Sequence, residues 1–399
     1  MRKTITIGDL GTIITGKTPP TTNKNYYGDY AVFIKPTDIS EQSKYTYETE
    51  EMYSKLAAEK YESSLIPKGA ICVPCIGTIG TKMTMAPCDC YTNQSINSIV
   101  CNENYDNEYV YYLIKNFLPG LKAYNLGTAS GREYVSKSNF EKIELVAEQD
   151  KTIQKKIGEL LSRYDSLIEN YQKQIKLLEE AAQRLYKEWF VDLRFPGHEN
   201  TKIVDGVPEG WEKKKLGEIA DINQRNIPKN HNLPYIDYTD LGSVRVGNID
   251  NPFRYNTGEE PGRAKRVAID GDIIWGMVRP NLKSYALIQY PQKYDVFSTG
   301  FAVLSATKVP FSFLYCALTT DSFVGYLMNC TNGAAYPAVK PEHFAAAKLL
   351  IPSLDCIEAF DLKIKRCFRK IHIIQTQIRH LTEARDRLLP KLMSGEIEV

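Results

Sequence analysis

Two stretches of the chain place apolar residues in steps of three and four. In the first, Ile157, Leu161, Tyr164, Ile168, Tyr171, Ile175, Leu178, Ala182, Leu185 and Trp189 are separated by Lys, Glu, Gln and Asp. This 3.5-residue period predicts a helix over residues 148–190 with a coiled-coil seam, stopped by Pro196-Gly197. The second stretch gives Ile357, Phe360, Ile364, Cys367, Ile371, Ile374, Ile378, Leu381, then Arg385, Leu388 and Leu392. It predicts a helix over residues 355–393, with Arg385 the one break in the seam and Pro390 ending or kinking it. Each seam runs about 36 residues, or roughly 54 Å at 1.5 Å per residue. A lone helix would expose such a stripe to water, so each needs a partner. The other helix of the same chain is the nearest one, and the globular stretch between them lets the two run antiparallel. The competing reading, in which each helix packs only on its own globular body, is hard to hold for two such seams.

Shorter apolar runs outside the helices predict strands over residues 31–34, 70–75, 272–277 and 301–305. Several pieces recur about 200 residues apart. Ile7-Gly8-Asp9-Leu10 is echoed by Leu216-Gly217-Glu218-Ile219, Lys68-Gly69-Ala70-Ile71 by Asp270-Gly271-Asp272-Ile273, and Glu180-Ala181 with Arg184-Leu185 by Glu383-Ala384 with Arg387-Leu388. The chain therefore reads as an α+β protein. Two similar α/β domains, over residues 1–147 and 197–352, are separated by a long antiparallel coiled-coil helix pair, over residues 148–196 and 353–399, in a pseudo-twofold internal repeat. The length of 399 residues is enough for two domains with a core each.

Composition narrows the class. A net charge of +2 is far from a histone-like balance, so any basic surface must be local. No apolar run suits a signal peptide or reaches the ~20 residues of a membrane span. Nine cysteines, an odd number, point to free thiols in a reducing cytoplasm. The 26 tyrosines are expected mostly as ordinary packing.

Motifs for catalysis are weak. Gly11-Thr12-Ile13-Ile14-Thr15-Gly16-Lys17-Thr18 fits the P-loop expression, but a P-loop needs a helix to start at its Gly-Lys-Thr, and Pro19-Pro20 follow at once. A polar loop with Lys17, Thr18, Thr21, Thr22, Asn23, Lys24 and Asn25 is the better description. Cys72-x-x-Cys75 and Cys88-x-Cys90 could form a zinc site, but the run around Cys72 reads as a buried strand, where Cys packs as a small apolar residue. Asp250-Asn251-Pro252-Phe253 lacks the second proline of an amino-methyltransferase motif, and no glycine-rich cofactor loop accompanies it. Loops suited to contact are better supported. Gly77-Thr78-Ile79-Gly80-Thr81-Lys82 allows close backbone approach, Asn93-Gln94-Ser95 offers amides for adenine edges, and Trp275 to Ser284 holds the matching place in the second half. Arg263, Lys265 and Arg266 add basic charge there.

In its order of motifs the chain resembles the DNA-specificity (S) subunits of type I restriction–modification systems. The carrying residues are Ile13-Ile14-Thr15-Gly16-Lys17-Thr18-Pro19, Tyr26-Tyr27-Gly28, Phe33-Ile34-Lys35-Pro36-Thr37-Asp38-Ile39, Cys75-Ile76-Gly77-Thr78-Ile79-Gly80 and Asn93-Gln94-Ser95-Ile96-Asn97 in the first half. The second half adds Pro208-Glu209-Gly210-Trp211 leading to Leu216-Gly217, Gly333-Ala334-Ala335-Tyr336-Pro337, and the helix end Arg387-Leu388-Leu389-Pro390-Lys391-Leu392-Met393-Ser394-Gly395-Glu396. The resemblance covers essentially the whole chain. It implies two target-recognition domains, each reading one half of a split site in double-stranded DNA. The helix pair would act as spacer and as dock for two adenine-methyltransferase (M) subunits, with restriction (R) subunits joining through them. It implies no catalysis by this chain and no cofactor of its own, S-adenosylmethionine and ATP belonging to the partners. A 54 Å spacer corresponds to about one to one and a half duplex turns. From loop position and side-chain chemistry, the expected DNA contacts in the first domain are Lys17, Thr18, Lys24, Lys35, Thr37, Thr78, Lys82, Asn93, Gln94 and Arg132. In the second they are Asn223, Arg225, Arg263, Arg279, Asn281, Lys283, Tyr336 and Lys340. Two other readings compete: a P-loop NTPase using residues 11–18, and a coiled-coil adaptor without DNA binding. Neither explains why the domains come in duplicate.

Overall fold

The computed structural model describes residues 2–77, 79–127, 133–250, 252–331 and 337–399. Thr78, Asn251 and the stretches 128–132 and 332–336, with Arg132 and Tyr336, lie outside the described residues. The chain divides into two compact units, Met1–Gln172 with Thr376–Val399, and Lys173–Gln375.

In unit 1, strand β1 (Arg2–Thr6) pairs antiparallel with β10 (Glu144–Glu148), so the start and end of the globular body close on each other. Between them, β2 (Gly11–Thr15), β6 (Ile71–Pro74), β7 (Thr84–Met85) and β9 (Ile96–Cys101) form an antiparallel sheet in the order β2-β9-β6-β7. A second sheet, in the order β3-β5-β4-β8, contains β3 (Tyr27–Gly28), β4 (Ala31–Ile34), β5 (Met52–Tyr53) and β8 (Tyr91–Thr92), with β4 and β8 parallel. Helices α1 (Lys55–Lys60), α2 (Asn107–Phe117) and α3 (Lys137–Glu141) pack around them. Tyr109, Tyr111 and Tyr112 of α2 are fully buried, so these tyrosines serve as core. At about 1.5–3 kcal/mol for each large apolar side chain fully buried, such positions dominate the stability of the unit.

Unit 2 repeats the plan. Past a small hairpin, β11 (Ile203–Val204) with β12 (Val207–Pro208), strand β13 (Glu212–Lys215) pairs with the last strand of the body, β24 (Lys348–Ile351). Strands β14 (Ala220–Ile222), β20 (Ile273–Gly276), β21 (Tyr285–Leu287) and β23 (Phe301–Ala306) form a sheet in the order β14-β23-β20-β21. Strands β15 (Tyr235–Thr239), β18 (Phe253–Asn256), β19 (Ala264–Arg266) and β22 (Asp295–Ser298) form the other, with β15 and β22 parallel. A hairpin of β16 (Val244–Arg245) and β17 (Asn248–Ile249) and helices α5 (Phe311–Leu318), α6 (Asp321–Asn329) and α7 (Pro341–Ala346) complete the body. The two strand plans match sheet for sheet, which gives the internal repeat a structural basis.

The repeated sequence pieces have local causes. Ile7–Leu10 is a single 3-10 turn whose Asp9 carboxylate accepts the Thr6 N–H at 2.7 Å; in the second copy Glu218 accepts the Lys215 N–H at 2.7 Å. Gly69 (φ +85°) and Gly271 (φ +90°) make the left-handed turns that lead into the buried central strands β6 and β20.

The long helices are α4 (Lys151–Tyr186), continued by a π-turn over Lys187–Val191, and α8 (Leu354–Ser394). In unit 1, Ile157 and Leu161 share a buried cluster with Leu389, Leu392 and Met393, and Asp165 meets Arg385. In unit 2, Phe360 lies 5.0 Å from Phe190 and 6.0 Å from Trp189, ring centre to ring centre. Numbers rise along α4 as they fall along α8, so the helices pair antiparallel within each unit. Four details bear on the sequence reading. Helix α8 runs on through Pro390 to Ser394, so the proline does not end it, although its missing N–H leaves the Asp386 carbonyl without its helical donor. Helix α4 ends before Pro196, through the π-turn. Phe368, not Cys367, is buried in α8, because Phe368 packs on Tyr315 of the globular body at 5.1 Å. Trp275 and Gly276 belong to strand β20, within the run 272–277 expected as a strand, with Trp275 fully buried.

Candidate nucleic-acid interface

In unit 1 the chain ends of β2, β4, β6 and β8 converge. The Gly16 N–H donates to Ile96 O (3.1 Å), Lys17 N–H to Thr92 O (2.9 Å), Asn93 N–H to Ile34 O (3.0 Å) and Cys75 N–H to Ser95 O (2.7 Å). The loops that follow these strands carry Lys17, Thr18, Lys35, Asn93 and Gln94, which the structure therefore brings to one end of the sheets. Gly16 makes this possible. A Cβ there would sit 2.1 Å from Thr92 O and 2.3 Å from Asn93 O. The Gly-Lys-Thr motif is thus a close-approach glycine at the end of a strand. Residues 11–15 are strand β2, and the next helical turn is the short 3-10 segment Lys24–Tyr26. That geometry does not fit a P-loop, since no α-helix begins at Gly16-Lys17-Thr18.

The loop after Gly16 is seated on aromatic rings. Tyr53 OH donates to Lys17 O (2.6 Å) and Tyr27 OH to Pro19 O (2.8 Å). Thr18 OH donates to Gln94 Oε1, orienting that amide. Lys17, Thr18, Lys24, Thr37 and Gln94 are exposed, while Asn93, Lys35 and Lys82 are half-buried. Lys35 sits between Glu50 (2.7 Å) and Glu51 (3.2 Å). Burial works against its charge, but the hydrogen bonds from these carboxylates outweigh it and hold its pKa up. Lys82 Nζ donates to Ile39 O at 3.3 Å.

Unit 2 repeats the bonds around Cys75–Gly77. Met277 N–H donates to Gly300 O (2.8 Å) as Cys75 does to Ser95. Val339 N–H donates to Met277 O (2.8 Å) as Val135 does to Cys75 O (2.9 Å). Arg279 N–H donates to Pro337 O (2.7 Å) as Gly77 does to Glu133 O (2.9 Å). Isolated bridges Ile76↔Tyr134 and Val278↔Ala338 match as well. The sequence Thr37-Asp38-Ile39, after β4, recurs as Thr239-Asp240-Leu241 at the end of β15. Each aspartate organises its loop. Asp38 accepts the Lys35 N–H (2.8 Å), and Asp240 accepts the Leu241 N–H (2.8 Å) and pairs with Arg263 (2.9 Å).

The second-domain candidates fall into two groups. Asn223 and Arg225 are woven into the scaffold. Asn223 is left-handed (φ +58°) and its Oδ1 accepts the Val303 N–H (2.9 Å), while Arg225 bonds to the buried Asp272 (2.7 Å) and to Ser305 (2.5 Å). Arg263, Arg279, Asn281 and Lys340 are exposed, and Lys283 is half-buried with Asp321 at 2.8 Å. Arg266 and Lys265 join Arg225 and Asn226 in a short ribbon, through Ile227 N–H to Lys265 O (2.8 Å) and Val267 N–H to Arg225 O (3.2 Å). The thiols are packing groups. Cys72 and Cys75 are buried in and beside β6, and burial pushes both up to about 12. Among the described residues no helix is long and apolar enough to cross a membrane.

Comparison with known proteins agrees with this architecture. The profile of the type I restriction modification DNA specificity domain matches twice, at residues 2–180 and 208–380. The chain is 27% identical to the type I restriction enzyme MjaIX specificity subunit of Methanocaldococcus jannaschii, over 98% of this chain and 93% of that one. It is 36% identical to the type I restriction enzyme HindI specificity subunit of Haemophilus influenzae, over 39% of this chain and 35% of that one. The crystal structure of a type I restriction–modification S subunit from M. genitalium superposes with a TM-score of 0.57 at 17% identity, covering 98% of this chain and 96% of the other, which shows the shared fold. With two matched domains spanning most of its length, the chain belongs to the type I restriction modification DNA specificity family, the S subunits that recognise DNA sequence.

Proposed function

We propose that this S subunit reads a two-part target in double-stranded DNA, one part through each sheet body, and that it does so without catalytic chemistry of its own. Residues 1–147 and 197–352 act as the two reading domains, and residues 148–196 and 353–399 as the helices that carry them. What supports the reading is one observation: the same hydrogen-bonded loop cluster recurs at the same strand ends in both units, around Cys75–Gly77 and around Met277–Arg279. A reading head built twice suits a target read in two pieces. The contacts we assign are Lys17, Thr18, Lys24, Lys35, Thr37, Thr78, Lys82, Asn93, Gln94 and Arg132 for one half-site. For the other they are Arg263, Arg279, Asn281, Lys283, Tyr336 and Lys340, with Asn223 and Arg225 holding the scaffold behind them. Exposed lysines would serve phosphates, and amides and arginines base edges.

The antiparallel helices present the surface on which two adenine-methyltransferase subunits dock, with restriction subunits joining through them. S-adenosylmethionine and ATP then belong to those partners. The target adenine leaves the stack for chemistry on the methyltransferase while this chain holds the register. Partner phosphate contacts would explain a net charge of only +2. A complex that works on host DNA operates in the cytoplasm. Mapping methylated adenines across a host genome by single-molecule sequencing, with and without this gene, tests the proposal. The expected result is a motif of two defined parts around a degenerate gap that vanishes with the gene. A contiguous motif, or methylation that does not change, would overturn it.

A further inference from the structure

The matched loops differ at one place in a way that packing does not explain. Gly77 is left-handed (φ +87°), a conformation natural to glycine, and a Cβ there would meet nothing within 4 Å. The corresponding residue of unit 2 keeps the left-handed backbone (φ +50°, ψ +65°) but is Arg279. An L-residue pays roughly 1–2 kcal/mol for that conformation. Pro280 follows, and a proline drives the residue before it toward extended backbone. The turn is nonetheless fixed. Arg279 N–H donates to Pro337 O (2.7 Å), Arg279 O accepts from Leu282 N–H (2.9 Å), and Val339 N–H closes on Met277 O (2.8 Å). The side chain is exposed at the end of the sheet.

Backbone strain held by surrounding hydrogen bonds marks a position retained for its side chain. A contact to phosphate would not need it, since Lys265 and Lys340 offer exposed cations on ordinary backbone. What a lysine cannot supply is the planar, two-pronged guanidinium fork. That fork matches the O6 and N7 acceptors of guanine in the major groove. We infer that Arg279 is the guanine-reading, specificity-determining residue of unit 2, projected from a strained turn whose counterpart in unit 1 is the side-chain-free Gly77. The inference rests on the two-part reading proposed above. It makes the two heads chemically unequal: unit 1 must read its bases from other loops, with Gln94 and Lys17 the nearest candidates.

The test uses the complete chain assembled with its methyltransferase partner, carrying Arg279→Gly or Arg279→Lys, with methylated adenines mapped genome-wide. Arg279→Gly removes the guanidinium at a backbone conformation natural to glycine. One G·C position in one half-site should become degenerate, with the other half-site unchanged. Arg279→Lys keeps the charge and should hold non-specific DNA affinity within about twofold. It should lose about 10–100-fold of the discrimination for guanine at that same position. An unchanged motif with either variant, or a half-site lacking a G·C pair at the affected position, would overturn the inference. Failure of the two-part reading has a different signature: the unaltered complex would show no split motif at all.

Discussion

Single residues carry more of the site's construction than their chemistry suggests. Gly16 lets the Lys17 loop lie against Thr92 and Asn93, where any Cβ would collide with two carbonyl oxygens. Gly16→Ala should therefore cost about 2–3 kcal/mol of stability, an overpacking loss with no room for relief by side-chain rotation. A melting curve that matches the unaltered chain would refute that. Glu179, on α4 within unit 2, is a second case. Burial without an offsetting cation raises its carboxyl to about 7, beside Tyr285 and Tyr315. The folded pKa lies above the unfolded one, so the neutral acid is favoured in the fold. The penalty is absent below the ordinary carboxylate range, grows as pH rises from there, and is complete above about 7. Stability should fall over that window by on the order of 2–3 kcal/mol. Glu179→Gln should flatten the profile and stabilise the chain at pH 8, as followed by thermal midpoints between pH 5 and 8. A slope that persists in the variant would place the titrating group elsewhere.

At the scale of elements, the single polar break in the second seam has a partner. Arg385 is buried and pairs with the equally buried Asp165 of α4, which also accepts the Tyr112 hydroxyl of α2. Burial opposes the Arg385 charge, but Asp165 and Asp386 outweigh it and raise its pKa. Replacing Arg385 alone leaves Asp165 buried without its counterion and should cost about 3–5 kcal/mol, while replacing Asp165 alone leaves Arg385 only the half-exposed Asp386 and should cost less. Asp165→Leu with Arg385→Leu together should cost far less than the sum of the two. Additive losses in denaturation midpoints would show that the pair is not coupled. The pair also marks what was legible in the sequence. Periodic apolar steps gave both helices within a few residues, because a seam is a local pattern. Asp165 could not be read as the answer to Arg385, since the match spans 220 positions. Phe368 replaced Cys367 for a similar reason: its contact is Tyr315, which no helical period encodes. The strand cores were visible as apolar runs. The loop cluster was visible only as a list of polar residues, because the bonds that gather it, such as Cys75 to Ser95 or Arg279 to Pro337, join segments far apart in sequence. Sequence chemistry placed Arg225 among the DNA-contact candidates, yet its guanidinium bonds to Asp272 and Ser305.

For the whole molecule, the doubled plan implies that the two bodies can be exchanged independently. Each body closes on itself through its own first and last strands, β1 with β10 and β13 with β24. Cuts at residues 196/197 and 352/353 fall outside the second ladder, so a replacement segment brings its own closure. It must also keep apolar residues where Phe313 and Trp211 meet Phe190, or the aromatic seat of the helix end is lost. A chimera carrying residues 197–352 of another S subunit should then methylate a hybrid motif, with one half-site new and the other unchanged. Genome-wide adenine methylation of the chimera reads this directly. If both half-sites changed, or if the original motif survived intact, neither body would be an autonomous reader. The duplicated loop cluster would then be scaffold, with the base contacts made by the partner subunits.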